Sequence, residues 1–153
     1  VCRQKGVEVV FARLAALTAN GRDTQRVNKI YPFIIPRDSK EAQMLEEIKP
    51  VGDELVISKT SGSMFTSVYD SFQLLYSNMG LRNLFVCGVV TDGCVESSVR
   101  DAMDRGFDVW VVGDACAALT RELHESSLAT MKLWCCRDVV TTDWMIEKIQ
   151  QAV

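Results

Sequence analysis

The sequence predicts an α/β fold with three layers, α/β/α, around a mostly parallel sheet. Apolar, strand-like runs alternate along the chain with amphipathic, helix-like segments, which is the pattern of repeated βα units. The two most apolar runs, 84–90 and 107–113, lack the polar alternation of a half-exposed strand. Such runs are typical of parallel strands that helices cover on both faces.

Local patterns set the bounds of the predicted elements. Residues 1–6 have the basic residues and final glycine of a helix tail, and the long polar segment 14–36 predicts a loop. Asp38 or Ser39 is suited to cap a short helix that ends at residue 48. The predicted strands are 7–13, 54–58, 84–90, 107–113 and 139–142. Three further helices are predicted at 67–79, 121–134 and 144–153. A fourth has Cys94 in its first turn and stops at Gly106.

Length and composition favour a single domain, 1–153, in the cytoplasm. The 153 residues are 48% hydrophobic and 24% charged, which supports a sizeable core and argues against disorder. A net charge of −3 does not recommend a nucleic acid or an anionic membrane as a partner. No apolar run approaches the roughly 20 residues of a membrane span, and no signal-peptide pattern is present.

The chain contains six cysteines, and no two of them form a Cys-x-x-Cys pair. Most lie in or beside predicted strands and helices, where a thiol serves as a small apolar packing residue. We therefore expect reduced thiols in a reducing compartment rather than a disulfide framework.

Cys94 stands in the first turn of a predicted helix, just past the carboxyl end of a buried strand. Ligands of open α/β sheets bind at this edge. The N–H groups and dipole of a helix start favour a thiolate, and the same N–H groups can receive an oxyanion. Asp92 is placed to cap this helix, although its charge opposes a thiolate. Two interpretations stay open at this point, a nucleophile and a structural cysteine.

Lys59 follows the strand 54–58 and is predicted to emerge at the same carboxyl edge as Cys94. A cation there would lower the pKa of the cysteine and stabilise charge on a substrate. The alternative is a lysine at a strand end that reaches solvent.

His124 is the only histidine, so a Cys-His pair could use no other residue. It stands among Arg121, Glu122 and Glu125 at the start of a predicted helix, far in sequence from Cys94. We therefore expect a solvated or locally hydrogen-bonded side chain.

Three segments together carry a resemblance to a known family. They are 88–102 around Thr91-Asp92-Gly93-Cys94; 52–59 ending in Lys59, followed by Ser63 and Phe65; and 111–115, followed by Glu122 and His124. In the same order, they closely resemble three segments of the isochorismatase-like cysteine hydrolases. These are the nucleophile segment, the lysine strand with its serine-x-phenylalanine turn, and the next strand with its loop. The resemblance covers roughly residues 5–150.

The resemblance implies a hydrolase of the amidohydrolase, or C–N hydrolase, type that acts on a small molecule. It makes Cys94 the nucleophile and Lys59 its catalytic partner, and it implies a cis peptide at Val89–Val90 that turns the N–H groups of Val90 and Cys94 towards an oxyanion. Ser63 and Phe65 are candidate substrate-binding residues, with a helix cap and a core residue as the alternatives. The bond cleaved stays open, because the family also includes isochorismate hydrolysis, a vinyl-ether reaction.

The resemblance also bears on metal binding and on a third catalytic group. Nicotinamidases of this family bind zinc through an Asp-x-His-x-x-His run, and the corresponding residues 15–23 contain no histidine. We therefore expect no metal and no cofactor. The family's general acid/base aspartate ends a strand that would precede residue 1 and lie between strands 7–13 and 84–90. We expect that the sequence begins partway through its domain and that a further strand fills this gap.

Two expectations follow from the missing strand and aspartate. An apolar strand without a neighbour favours association, so we expect a homo-oligomer. The absence of the aspartate also keeps a second class of function open: an inactive, truncated family member that acts as a binding or redox-sensitive regulatory protein through Cys94.

Overall fold

The computed structural model describes residues 1–31, 33–66 and 70–152. The chain divides into two compact units, and each is described by itself. The small unit comprises residues 8–71, and the large unit comprises residues 1–7 and 72–153. A single domain stays a prediction.

The small unit is built on two parallel strands, β1 (Val10–Leu14) and β2 (Leu55–Lys59). Their register runs from Val10 opposite Leu55 to Leu14 opposite Lys59, so both strands end at the same edge. A short helix, α1 (Arg26–Ile30), lies in the connection between them. The buried apolar side chains of this unit are Ala15, Ala16, Ala42, Ile57 and Phe65.

Two predictions for the small unit are wrong. The predicted helix that ends at residue 48 is instead two 3₁₀ turns, Lys40–Ala42 and Glu46–Ile48, because Gln43 and Leu45 between them are extended. Leu45 and Ile48 are 69% and 56% exposed, so this sequence gains too little burial to hold one continuous helix. The predicted loop 14–36 contains α1, whose apolar Val27 and Ile30 are exposed and which buries only Asn28.

The large unit contains a three-stranded parallel sheet in the order β3-β4-β5. Its strands are β3 (Asn83–Val89), β4 (Asp108–Ala117) and β5 (Asp138–Val140). Its α-helices are α2 (Glu96–Asp104), α3 (Arg121–Trp134) and α4 (Thr142–Ala152). Two π-helical segments complete it, Gln73–Asn78 and Thr91–Val95.

Helices cover both faces of this sheet. A side chain added at Gly113 of β4 would meet Leu128 of α3, which places α3 on one face. Phe85 of β3 packs beside Trp110 of β4 with ring centroids 5.5 Å apart, and Trp144 of α4 lies 6.4 Å from the same Phe85 ring. Because Trp110 and Gly113 are three residues apart on one strand, they face opposite sides. The predicted fold class, helices on either side of parallel strands, is confirmed.

The predicted bounds agree with the structure for most elements of the large unit. Helix α3 has the predicted bounds, and the strands predicted at 84–90 and 139–142 are displaced by one or two residues. β4 runs four residues beyond the predicted end at 113. Of the predicted helix 67–79, residues 67–69 lie outside the described residues and 73–78 are π-helical. No helix within the described ranges is long and apolar enough to cross a membrane.

Candidate active site

The turn that carries Cys94 follows directly from the end of β3. The strand ends at Val89, the Val89–Val90 peptide is cis as the resemblance implied, and Thr91–Val95 then forms a π-turn. The N–H of Val95 donates to the carbonyl of Val90 at 3.2 Å, which closes the wide ring of the π-turn. The half-buried Cys94 lies in this π-turn, two residues before α2 begins. It stands just past the carboxyl end of a parallel strand, as predicted, but in a π-turn that leads into the helix rather than in the first turn of the helix itself.

Helix α2 anchors this turn to the core of the large unit. The hydroxyl of Ser98 donates to the carbonyl oxygen of Cys94 at 2.7 Å. Val95 and Val99 are 4% and 0% exposed, so the apolar residues just before and within the first turn of α2 are buried. The position of Cys94 is therefore tied to a packed helix rather than to a surface loop.

Helix α3 supports the same turn from a second side. Thr91, which is fully buried, lies with its Oγ1 2.8 Å from Nδ1 of His124. The hydroxyl of Ser127 lies 3.2 Å from the carbonyl oxygen of Thr91 and 2.5 Å from Oε2 of Glu96. The expectation of a local hydrogen bond for His124 is wrong, because its side-chain partner is 33 residues away; the side chain is half-buried. Local sequence could not show which face of α3 meets this turn.

Lys59 is the last residue of β2 in the small unit, and its side chain is buried, with 4% exposed. Its ammonium donates to the carbonyl oxygens of Ser61 and Gly62, each at 2.7 Å. The alternative of a lysine that reaches solvent is therefore wrong. The side chain bends onto the turn that follows its own strand.

Ser63 and Phe65 belong to that same turn. The hydroxyl of Ser63 accepts a hydrogen bond from the N–H of Phe65 at 3.1 Å, at the start of the 3₁₀ turn Met64–Thr66. Phe65 is 6% exposed and lies in the core of the small unit. These positions confirm the cap and core alternatives, while substrate binding by either residue stays a prediction.

The structure thus brings the predicted site residues together in two groups. Val90 and Cys94 share one turn of the large unit, and Lys59, Ser63 and Phe65 share one turn of the small unit. The meeting of Lys59 and Cys94 at one edge stays a prediction. The sequence did not indicate that Thr91 and Ser127 belong to the site, because the hydrogen bond between them joins residues that are 36 positions apart.

Residues 15–23, where the resemblance places a metal site in nicotinamidases, are stabilised by a carboxylate instead. Asp23 accepts hydrogen bonds from the N–H groups of Leu17 at 2.7 Å and Thr18 at 3.1 Å, and from the Thr18 hydroxyl. Partial burial raises the pKa of Asp23, but these hydrogen bonds prevail and lower the pKa to about 2. Within the described ranges, no group of three or more histidine, cysteine or acidic residues is arranged to hold a metal ion.

Comparison with known proteins gives related sequences and folds. Nicotinamidase 3 of Arabidopsis thaliana is 27% identical over 86% of this chain and 66% of its own length. Ureidoacrylate amidohydrolase RutB of Acinetobacter baylyi is 29% identical over 65% of this chain and 40% of its own length. The crystal structure of a cysteine hydrolase from Pseudomonas syringae superimposes with a TM-score of 0.88 at 26% identity, covering 99% of this chain and 76% of that one.

The chain therefore spans less than two thirds of the length of each of these two sequence relatives. The family model of the isochorismatase domain matches residues 1–143, which is most of the chain. The match includes both the Lys59 turn and the Cys94 turn. On this evidence, the chain belongs to the isochorismatase family.

Proposed function

We propose that this protein is a metal-independent cysteine hydrolase of the amidohydrolase type, with a small molecule as its substrate and Cys94 as its nucleophile. The observation that carries the proposal is the place of Cys94, half-buried in a turn between the carboxyl end of β3 and the start of α2. Two relatives, a nicotinamidase and an amidohydrolase, carry names that agree with this chemistry.

The reaction would proceed through a covalent thioester. The thiolate of Cys94 attacks the carbonyl carbon of the amide, a C–S bond forms, and the carbonyl electrons move to oxygen. The tetrahedral intermediate collapses, the C–N bond breaks, and the amine leaves with a proton. Water then attacks the thioester, which releases the acid and restores the thiol.

The protein would supply charge stabilisation around these steps. The N–H groups of Val90 and Cys94 are the proposed donors to the oxyanion, and each such donor is typically worth about 3 kcal/mol in the transition state. The ammonium of Lys59 would favour the thiolate and the developing negative charge. The family resemblance assigns the proton transfers to an aspartate that matches no position in residues 1–153.

The test is turnover and covalent trapping. A panel of small amides, including nicotinamide and ureidoacrylate, is incubated with the protein, and intact mass reports any acyl adduct. We expect an adduct on the Cys94 peptide and loss of turnover in Cys94→Ala. The control is Cys2→Ala, which removes a second half-buried cysteine and should retain turnover. Normal turnover in Cys94→Ala would falsify the proposal. Absence of turnover in the unaltered protein, together with ready oxidation of Cys94, would favour the redox-sensitive regulatory alternative.

A further inference from the structure

We propose that His124 and Ser127 of α3 are positioning residues for Cys94: they fix the π-turn that carries the thiol. The inference rests on the proposed role of Cys94 as nucleophile. Its basis is the contact of His124 Nδ1 with Thr91 Oγ1 and the position of the Ser127 hydroxyl, whose single proton lies between two acceptors. These acceptors are the carbonyl of Thr91 at 3.2 Å and the carboxylate of Glu96, just after the turn, at 2.5 Å.

These contacts meet the turn at both of its ends. Thr91 is its first residue, and Glu96 is the first residue after it. Thr91 and Ser127 are 0% and 5% exposed, so each of these hydrogen bonds has at least one partner that is shielded from water. His124 and Ser127 are three residues apart and therefore share one face of α3.

A π-turn needs such support more than an α-helical turn does. Its ring is wider by one residue, and π-turns are rare and occur frequently at functional sites. With both ends held, the four intervening residues, 92–95, have little freedom to rewind into the register of α2. The direction of the thiol and of the nearby N–H groups is thereby set from outside the turn.

The link through Ser127 extends to a charged pair. Glu96, which receives the Ser127 hydroxyl, also accepts from the guanidinium of Arg100 at 2.7 and 3.0 Å. This second bond holds the carboxylate in one orientation towards α3. Arg100, Glu96 and Ser127 therefore form one chain of hydrogen bonds across the start of α2.

The experiment measures the rate at which iodoacetamide alkylates Cys94, read from the mass of its peptide at near-neutral pH. We expect Thr91→Val, His124→Leu and Ser127→Ala each to slow alkylation about threefold to tenfold, the effect of losing one net hydrogen bond. The conservative variants His124→Asn and Thr91→Ser keep a polar atom near the lost one and should restore most of the rate. Ser126→Ala, at an exposed position of the same helix, should leave it unchanged.

If Thr91 and His124 act through one hydrogen bond, the effects of their substitutions on the alkylation rate should not add. Thr91→Val combined with His124→Leu should slow alkylation no more than either change alone, because each already removes the same hydrogen bond. If the two substitutions instead disturbed the structure independently, the double variant would show the sum of the two effects. Protection of the half-buried Cys136, at the far end of α3, reports in the same spectra that each variant is folded.

The outcomes separate the two proposals. If Cys94 of the unaltered protein reacts no faster than Cys2, its role as nucleophile fails, and the positioning inference fails with it. If Cys94 reacts faster than Cys2, but His124→Leu and Ser127→Ala leave its rate unchanged or raised, only the positioning inference is overturned.

Discussion

The Nζ atom of Lys59 lies 2.7 Å from the carbonyl oxygen of Ser61, two residues further along the chain. A second carbonyl, that of Gly62, accepts from the same ammonium at 2.7 Å. With the side chain only 4% exposed, Lys59 therefore fixes the turn after β2 as well as being the candidate catalytic cation. A substitution at Lys59 has structural consequences that must be measured beside any effect on activity.

We predict that Lys59→Met destabilises the small unit by about 1–3 kcal/mol, because it leaves carbonyl groups without their donor in a buried turn. Hydrogen exchange of residues 60–66 and urea unfolding measure this effect. The control is Lys29→Met, which removes an exposed lysine whose Nζ donates to the carbonyl of Arg22 at 2.8 Å. Equal effects of the two substitutions would contradict the prediction.

Asp23 gives the small unit a stabilisation that depends on pH. Its folded pKa of about 2 lies below the ordinary value of 3.8. A lowered folded pKa means that the ionised carboxylate stabilises the folded state. This contribution is complete above the ordinary value and is lost as pH falls from 3.8 towards about 2.

The corresponding variant is Asp23→Asn, which keeps the shape but removes the negative charge of the carboxylate that accepts from the N–H groups of Leu17 and Thr18. We expect a loss of about 1.5–3 kcal/mol in the free energy of unfolding near neutral pH, the usual size for hydrogen bonds to a charged group. The difference from the unaltered protein should shrink as the pH approaches the folded pKa. A difference that is constant with pH in urea unfolding would count against the role of the charge.

Much of the fold could be predicted because local pattern and final burial agree. The apolar run 107–113 became the central strand β4, whose Val109, Val111 and Val112 are at most 2% exposed. Helix α3 begins after Thr120, whose hydroxyl accepts from the N–H of Leu123, so a local cap defines its start. Where the apolar stripe stays exposed, as at Leu45, the helix prediction failed.

The candidate site was predictable only in its local part. Cys94 follows from a strand, a turn and a helix that are adjacent in sequence. The contact between His124 and Thr91 depends on how α3 packs against that turn, and neither residue signals it in its own neighbourhood. The burial of Lys59 likewise depends on the path of the turn after β2, which residue types alone do not fix.

Asp114 supplies a cap to a helix that is distant in sequence, and this gives a third prediction. The pairing of β3 with β4 shifts register between Val86 and Gly88. Near this shift, the Asp114 carboxylate accepts from the N–H of Thr142 at 2.8 Å and from its hydroxyl at 2.9 Å. α4 begins at Thr142, two residues before the predicted start at 144.

We expect Asp114→Ala to lower the free energy of unfolding by about 1 kcal/mol, the usual cost of losing a cap at a helix start. Asp114→Asn keeps an acceptor oxygen and should retain most of the stability. Urea unfolding of both variants, with hydrogen exchange at the start of α4, makes the comparison. If Asp114→Asn lowered the free energy of unfolding as much as Asp114→Ala, the acceptor oxygen would not be the source of the stabilisation.

The last prediction concerns the order in which the cysteines react. Burial raises the pKa of Cys116 to about 11, and burial and the neighbouring Cys135 raise that of Cys136 to about 11 as well. A raised pKa keeps the thiol protonated, so near pH 7 only about one such thiol in ten thousand is a thiolate, the form that reacts with iodoacetamide. None of the six cysteines, all of which lie within the described residues, forms a disulfide.

We therefore expect Cys116 and Cys136 to be alkylated slowly at neutral pH, with rates that rise about tenfold for each pH unit until the pH approaches their pKa. Peptide mass spectra taken across pH at short reaction times measure each site separately. Cys2, which is also half-buried, serves as the internal comparison. Rapid labelling of Cys116 or Cys136 at neutral pH, with the fold intact by circular dichroism, would contradict the burial that the structure gives these side chains.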